Sequence, residues 1–477
     1  MANQPLNKEG HLIRAIGLPT AVILFVSSII GSGVYKKIAP MALGLESPKL
    51  VLLAWALAGV VTLLGVLSTT EVGAMITESG GPYAYFKRIY GGNFAFYYGW
   101  SSLAVIQSSS IASISYVFSQ SVNELVELPR LGGAWEEWTV LGIFTPLANL
   151  GVKLVAVALI AILAAINFRG VRQGSWLSNV ITVLVIGSIV AIILLGLSIS
   201  DGSMANVQQP SATYPPEEGG LGLAGLMFAA MLSAFWAYEG WLNIGFIGEE
   251  VRNPQRNIPL SLLIGFAIVI TVYLSINFTY LYVMPIDEMI ALARDENSIA
   301  AVAVVGKFLG EGGILFISLL ICLTTLGCAN TTILTAARVH YALAYDRLFF
   351  PKIAHINPRF HTPGNALLIQ AVWASLLVFS GSFDQLTDML IFASFIFYGA
   401  IAFGVFVLRR KEPDTPRPYR AVGYPVLPAL FVLFCACLVV VTCFQRPREA
   451  GLGLALILLG TPFLLYWRRK GEGKTAT

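Results

Sequence analysis

Two short strings interrupt apolar runs where an interruption could do chemistry. Gly31-Ser32-Gly33 falls about midway along the run 16–40, and Tyr238-Glu239-Gly240 falls at a similar depth in the run 223–248. If each string breaks a membrane helix, backbone groups are freed at a depth where lipid cannot satisfy them, and a cavity or ligand is expected there. The resumed half of the first helix would offer unpaired N–H groups and a positive dipole end, which suits a carboxylate without any basic side chain. Unpaired carbonyls at the other broken ends suit an ammonium. A site holding both at a fixed separation recognises the zwitterionic head of an α-amino acid and leaves the side chain to neighbouring groups. A lone Gly-Ser-Gly serves close helix packing equally well. The matching break in the second run is what favours a binding site, and it predicts a five-plus-five inverted repeat.

Glu239 is the ionisable residue of greatest interest, because an acid at mid-membrane costs about 2.5–3.5 kcal/mol on insertion scales and marks function by default. It could pair with a cationic substrate side chain, carry a proton or serve structure. Glu71 also lies in an apolar run, and a nearby donor or Arg on the same membrane face would satisfy it structurally. Ser108 and Ser109, with Ser110, form a polar patch that could line a pocket or mediate packing. The five cysteines all fall in apolar stretches without ligand spacing, so no disulfide framework and no metal site is predicted. His11, His340, His355 and His361 map to helix ends or one membrane face, again without metal-ligand spacing.

The elements that must position these residues follow from composition. Of 477 residues, 56% are hydrophobic and only 12% charged, which excludes an ordinary soluble domain. Twelve apolar segments, each near the roughly 20 residues of a membrane span, are predicted at 16–40, 48–76, 94–123, 150–167, 176–199, 223–248, 259–283, 313–337, 364–381, 387–408, 424–443 and 450–467. They leave no room for a separate water-soluble catalytic domain. Their continuity excludes a transmembrane barrel, and a net charge of +4 gives no case for nucleic-acid binding. The glycine-bounded stretch 80–92 reads as an amphipathic surface helix. Most Lys and Arg fall on the side of the amino terminus, which predicts cytoplasmic termini at both ends. The expected organisation is a cytoplasmic segment 1–15, a first repeat 16–199, a second repeat 200–408, a cytoplasmic linker 409–423, two further helices 424–467 and a tail 468–477.

Four strings together carry a family resemblance. They are Ile29-Ile30-Gly31-Ser32-Gly33-Val34-Tyr35, Glu78-Ser79-Gly80-Gly81-Pro82-Tyr83-Ala84-Tyr85, Ala237-Tyr238-Glu239-Gly240-Trp241, and the stretch from Gly248-Glu249-Glu250 through Asn253-Pro254-Gln255-Arg256-Asn257-Ile258-Pro259. The chain resembles the L-type amino acid transporters of the amino acid–polyamine–organocation superfamily. That resemblance implies an all-α membrane protein of twelve transmembrane helices in the LeuT-type fold, with helices 1 and 6 broken. It implies secondary transport of L-amino acids by alternating access in the cell membrane, often as obligatory exchange of neutral and in some members cationic substrates. Carried over by position, Ser32 and Gly33 of the Gly31-Ser32-Gly33 string would hold the carboxylate. Ile29 and the carbonyls of Phe235, Trp236 and Glu239, around Ala237, would receive the ammonium, and Trp236 would be the gate.

Three departures bear on mechanism. Most such relatives place a lysine where Val185 stands, in the space sodium occupies in sodium-coupled cousins. Its loss leaves Thr324, Thr325 and Cys328 beside Val185 as a candidate cation site, unless the apolar side chain simply fills the gap. No cofactor is expected, and the coupling ion stays open between exchange and sodium or proton symport. The 124–149 connection contains no cysteine, so no disulfide-linked heavy subunit is expected; the expected partners are the amino acid and the lipid bilayer. Leu242 replaces a polar residue of several relatives. An enzyme, a channel and a membrane nutrient sensor are the rival classes. The first lacks facing ionisable groups, the second lacks pore rings or repeated pore loops, and the third lacks a long cytoplasmic domain.

Overall fold

The computed structural model describes residues 16–76, 81–140, 144–169, 175–199, 201–211, 222–242, 251–360 and 362–472. Glu78-Ser79-Gly80, Gly248-Glu249-Glu250 and His361 lie outside them. The first apolar run forms α1 (Leu18–Ile29), α2 (Gly33–Lys36) and α3 (Ile38–Leu45), reaching five residues beyond the expected end. Then come α4 (Pro48–Met75), α5 (Pro82–Tyr90), α6 (Gly92–Ser101), one π turn at Ser102–Ile106, α7 (Gln107–Leu125), α8 (Leu150–Phe168), α9 (Ser175–Ile199) and α10 (Met204–Gln208). The second half contains α11 (Gly222–Ala237), α12 (Pro254–Val283), α13 (Ile286–Ala293), α14 (Ala300–Tyr345), α15 (Gly364–Ser380) and α16 (Phe383–Lys411). Three helices close the chain: α17 (Val426–Gln445), α18 (Pro447–Leu458) and α19 (Gly460–Glu472).

Among the described residues the regular structure is helical, with only isolated bridges at Ile16–Val251 and Val140–Phe144. Eight helical segments are long and apolar enough to cross a membrane, and four shorter apolar helices accompany them. α14 continues well beyond the expected 313–337, and Gly310 (φ 61°) interrupts it, a backbone conformation that glycine adopts without a Cβ clash. The continuous segment through α6 and α7 is 83% buried over its most apolar window, against 28% for α17. The former is therefore the centre of the bundle, while α17 turns Leu430, Leu433 and Val440 outward.

α5 is the amphipathic helix expected over 80–92. Gly81 (φ 54°) and Gly91 (φ 89°) bound it, and Pro82 occupies the first turn, where a missing N–H costs nothing. Its apolar face buries Phe86 against Tyr98 and Phe397. Its polar face ties neighbouring ends together: Lys87 and Tyr83 both donate to Asp346 Oδ2 at 2.7 Å, and Arg88 donates to Glu412.

Glu71 of α4, 1% exposed by side chain, lies on the same membrane face. Its two oxygens accept from Arg409 Nε and Nη2 (3.0 and 2.7 Å), Arg417 Nε (3.1 Å) and the Ala421 N–H (2.7 Å). The acid is a staple between α4 and the α16–α17 connection, which is the structural reading. Removing it takes away the carboxylate paired with Arg417, itself 6% exposed by side chain and otherwise bonded to backbone carbonyls. Glu71→Ala is expected to cost on the order of 3 kcal/mol, measured as a fall in thermal unfolding midpoint, with Glu71→Gln intermediate because it keeps part of the hydrogen bonding.

Candidate substrate site

The two strings do break their helices, and the breaks meet. α1 ends at Ile29 because Ile30 turns extended (ψ 105°), and α11 ends at Ala237 ahead of Gly240, whose φ of 106° suits glycine. The Tyr273 hydroxyl of α12 stands 3.1 Å from Ile29 O and 2.9 Å from Ala237 O, so one side chain reaches a freed carbonyl of each broken helix. Trp55 of α4 braces Tyr273 edge-on at 5.6 Å, and the Tyr238 hydroxyl donates to Trp55 O at 3.1 Å. Gly33 sets the spacing between the breaks. A Cβ there would lie 2.6 Å from Ala237 Cα and 3.1 Å from the Trp236 ring.

Around the breaks lies a cavity of about 370 Å³. Ile29, Gly31, Ser32, Gly33, Trp236, Ala237 and Glu239 all line it. Lys37 keeps helical dihedrals, so α2 and α3 run on almost continuously from Gly33, and their first N–H groups have no carbonyl one turn earlier. The opposite wall comes from α7, α9 and α14 through Ser110, Ile114, Val185, Thr324 and Cys328, and the lining runs on to the exposed Thr331. Other expected residues do not reach the cavity. Phe235 packs on Phe395 (4.5 Å) and Phe434, Ser108 and Ser109 are buried elsewhere in the bundle while Ser110 lines the wall, and Thr325 donates to Ile321 O at 2.7 Å with Thr324 lining in its place.

Glu239 is half-buried at the cavity wall, and the Tyr398 hydroxyl of α16 donates to its Oε1. Trp241 and Phe395 flank Tyr398 at 4.9 and 5.7 Å. The acid therefore has a neutral protein partner before any substrate arrives.

Next to the cavity, Trp236 packs into a cluster that joins the resumed first helix to α16. Trp236 stands edge-on to Phe383 at 5.1 Å, and Lys37 Nζ lies 4.6 Å from the Phe383 centroid and 5.8 Å from the Trp236 ring. Lys37, fully buried, donates to Asp384 Oδ1 (2.7 Å) and Thr387 Oγ1 (2.6 Å). Lys36 donates to Gln120 Oε1 (2.6 Å) and Glu296 O (2.8 Å). The two lysines fasten the resumed first helix to α7, α16 and the loop before α14. Burial pushes the Glu296 carboxyl above its ordinary range, reinforced by nearby Asp384 and opposed by Lys36 and Lys153. Two ammonium groups inside the apolar run 16–40 are the sequence signal for this fastening, since each needs a partner at that depth. Tyr273 and Tyr398 gave no signal, since a tyrosine in an apolar helix is most simply core.

The amino acid permease family model matches residues 16–463. The chain belongs to the amino acid permease family. The permease is 28% identical to the serine/threonine exchanger SteT of Bacillus subtilis, covering 95% of this chain and 97% of that one. It is 30% identical to the human b(0,+)-type amino acid transporter 1 (95% of this chain, 87% of that one) and 30% identical to the mouse large neutral amino acids transporter small subunit 2 (96% and 82%). Family and apolar helices together make the permease a multi-pass membrane protein of the amino acid–polyamine–organocation superfamily.

Two expectations follow from this geometry. Gly33→Ala forces Ala237 away and is expected to weaken substrate binding by about 2 kcal/mol, roughly thirtyfold, whereas Gly44→Ala, with open space around it, leaves binding unchanged. Asp384→Asn strands a buried ammonium and is expected to lower stability by about 3 kcal/mol. Lys37→Met leaves only a carboxylate that is 43% exposed by side chain and is expected to cost far less; equal unfolding midpoints for the two variants would refute that asymmetry.

Proposed function

We propose that the permease is a secondary active transporter of L-amino acids that works by alternating access as an exchanger in the cell membrane. Twelve spans in a LeuT-type five-plus-five repeat, with the boundaries drawn from the sequence and both termini cytoplasmic, are the architecture this reading assumes. Each of the twelve apolar segments coincides with one of the eight long or four shorter apolar helices, which supports it. The observation that carries the function is Tyr273 spanning Ile29 O and Ala237 O, which sets both helix breaks on one cavity.

In the bound state the carboxylate would sit on the N–H groups at Ser32 and Gly33, with the dipole of the resumed helix behind them. The ammonium would take remaining carbonyl lone pairs at Ile29, Trp236 and Glu239, and Trp236 would act as the gate against Phe383. Opening to the opposite side requires Lys37 to leave Asp384 and Thr387, so this fastening is part of the transport cycle. Neutral substrates are favoured because Tyr398 already satisfies Glu239. The names of the relatives, a serine/threonine exchanger and a large neutral amino acids transporter, point the same way. A second reading, cationic substrates, is favoured by the access of Glu239 to the cavity and by the b(0,+)-type relative. Exchange is preferred to sodium coupling because Val185 presents an apolar surface at the wall, where a sodium ion would need an oxygen ligand. No heavy subunit and no enzymatic step enter this reading.

Uptake of labelled amino acids into proteoliposomes, preloaded or empty, with and without sodium and a pH gradient, tests it. Saturable uptake confined to preloaded vesicles is expected, and uptake that needs no internal substrate but needs sodium would replace exchange by symport. Glu239→Gln is expected to spare neutral uptake while lowering any cationic uptake about tenfold, since the ionic partner of the substrate side chain is lost.

A further inference from the structure

Away from the substrate cavity, α8 and α15 diverge around a second, larger cavity of about 810 Å³ that the transport reading does not use. Small residues create it: Ala161, Ala164 and Ala165 on α8 face Ala371 and Gly364 on α15. Leu368, Val372 and Leu376 stand exposed along its rim, so the groove opens sideways, toward the hydrocarbon in a membrane. Its lining spans residues 364 to 379 of α15, about 22 Å of helix, which exceeds the about 15 Å depth of one leaflet's hydrocarbon.

One end of the groove is built differently. Phe168 and Phe360 meet edge to face at 5.9 Å and form its floor, and a Cβ on Gly364 would lie 2.3 Å from the Phe168 ring. Thr362 Oγ1 donates to Phe168 O at 2.8 Å, fastening the α15 entry to the end of α8. Two arginines and the turn that carries Lys352 border this end. Arg169 lines the groove, the Arg359 guanidinium sits 5.3 Å from the Phe360 centroid, and the Lys352 carbonyl receives Asn365 Nδ2 at 2.6 Å, which brings that basic turn to the mouth. All three side chains are exposed, and among the described residues none forms an ion pair.

We propose that this groove is a binding site for an anionic phospholipid, with an acyl chain along α15 and the phosphate at Arg169 and Arg359. An apolar trench open to the bilayer takes up lipid tails whatever their headgroup. The basic mouth, lying at a membrane face, selects a net-negative headgroup over a zwitterionic one. Occupancy reaches the substrate cavity by a short path, because Asn167, next to Phe168, donates to Asn330 Oδ1 at 2.8 Å, and Asn330 precedes the cavity residue Thr331. The bound lipid braces the α14 wall from behind.

The test is thermal unfolding of the purified full chain in neutral detergent, titrated with phosphatidylglycerol, phosphatidylcholine or inorganic phosphate. Phosphatidylglycerol is expected to give half-maximal stabilisation at about a tenfold lower concentration than phosphatidylcholine, and phosphate none. The Arg169→Gln/Arg359→Gln variant is expected to erase the difference between the lipids. Ala165→Phe, which fills the trench at an exposed position, is expected to weaken both. Equal titrations for the two lipids, a headgroup preference that survives the Arg substitutions, or full protection by phosphate alone would each overturn the proposal. Should the double variant not fold, Arg169→Gln alone decides it by the same comparison.

Discussion

A helix that stops in the middle of a membrane must find partners for its backbone, because the hydrocarbon supplies none. Two helices stop here, after Ile29 and after Ala237, and the Tyr273 hydroxyl reaches a freed carbonyl of each. Most of the surrounding architecture holds that tyrosine and those ends in place. Trp55 and Tyr238 pack around it, and Gly59 gives them room, since a Cβ there would come 2.9 Å from the Tyr238 hydroxyl. Gly33 does the same between the two breaks. The broken ends line the cavity, which is therefore walled in part by interrupted backbone and by hardly any charged side chain.

Ionic fastenings occupy the two ends of the bundle. At one, Lys36 and Lys37 bind the resumed first helix to α7 and α16; at the other, Glu71 binds α4 to the α16–α17 connection, and α5 adds its ties to Asp346 and Glu412. Buried ion pairs give little net stability but tolerate no loss of a partner. They therefore fix the helix ends against one another, and in the proposed cycle the Lys37 pair is the one that has to open.

Much of this was legible from residue order. The apolar runs, the two breaks, the amphipathic helix over 80–92 and the structural role of Glu71 each rest on local composition, where period, length and an out-of-place polar residue carry the information. The cavity wall was harder. Three consecutive serines, Ser108 to Ser110, have the same chemistry, and only the rotation of α7 decides that Ser110 faces the cavity. The same holds for Thr324 over Thr325 on α14. Successive helical residues point about 100° apart, so an error of one position turns a lining residue into a packing one.

What the sequence by itself determined is where the backbone is to break and which charges it must bury, since glycines and ionisable residues inside apolar runs have few physical outcomes. What only the tertiary structure decided is who satisfies them. Tyr398 for Glu239, Asp384 and Thr387 for Lys37, and Tyr273 for Ile29 and Ala237 are partners 36 to 350 residues away in the chain. The reason is that the need for a partner is set by one residue and the membrane around it, whereas its identity is set by how the helices pack.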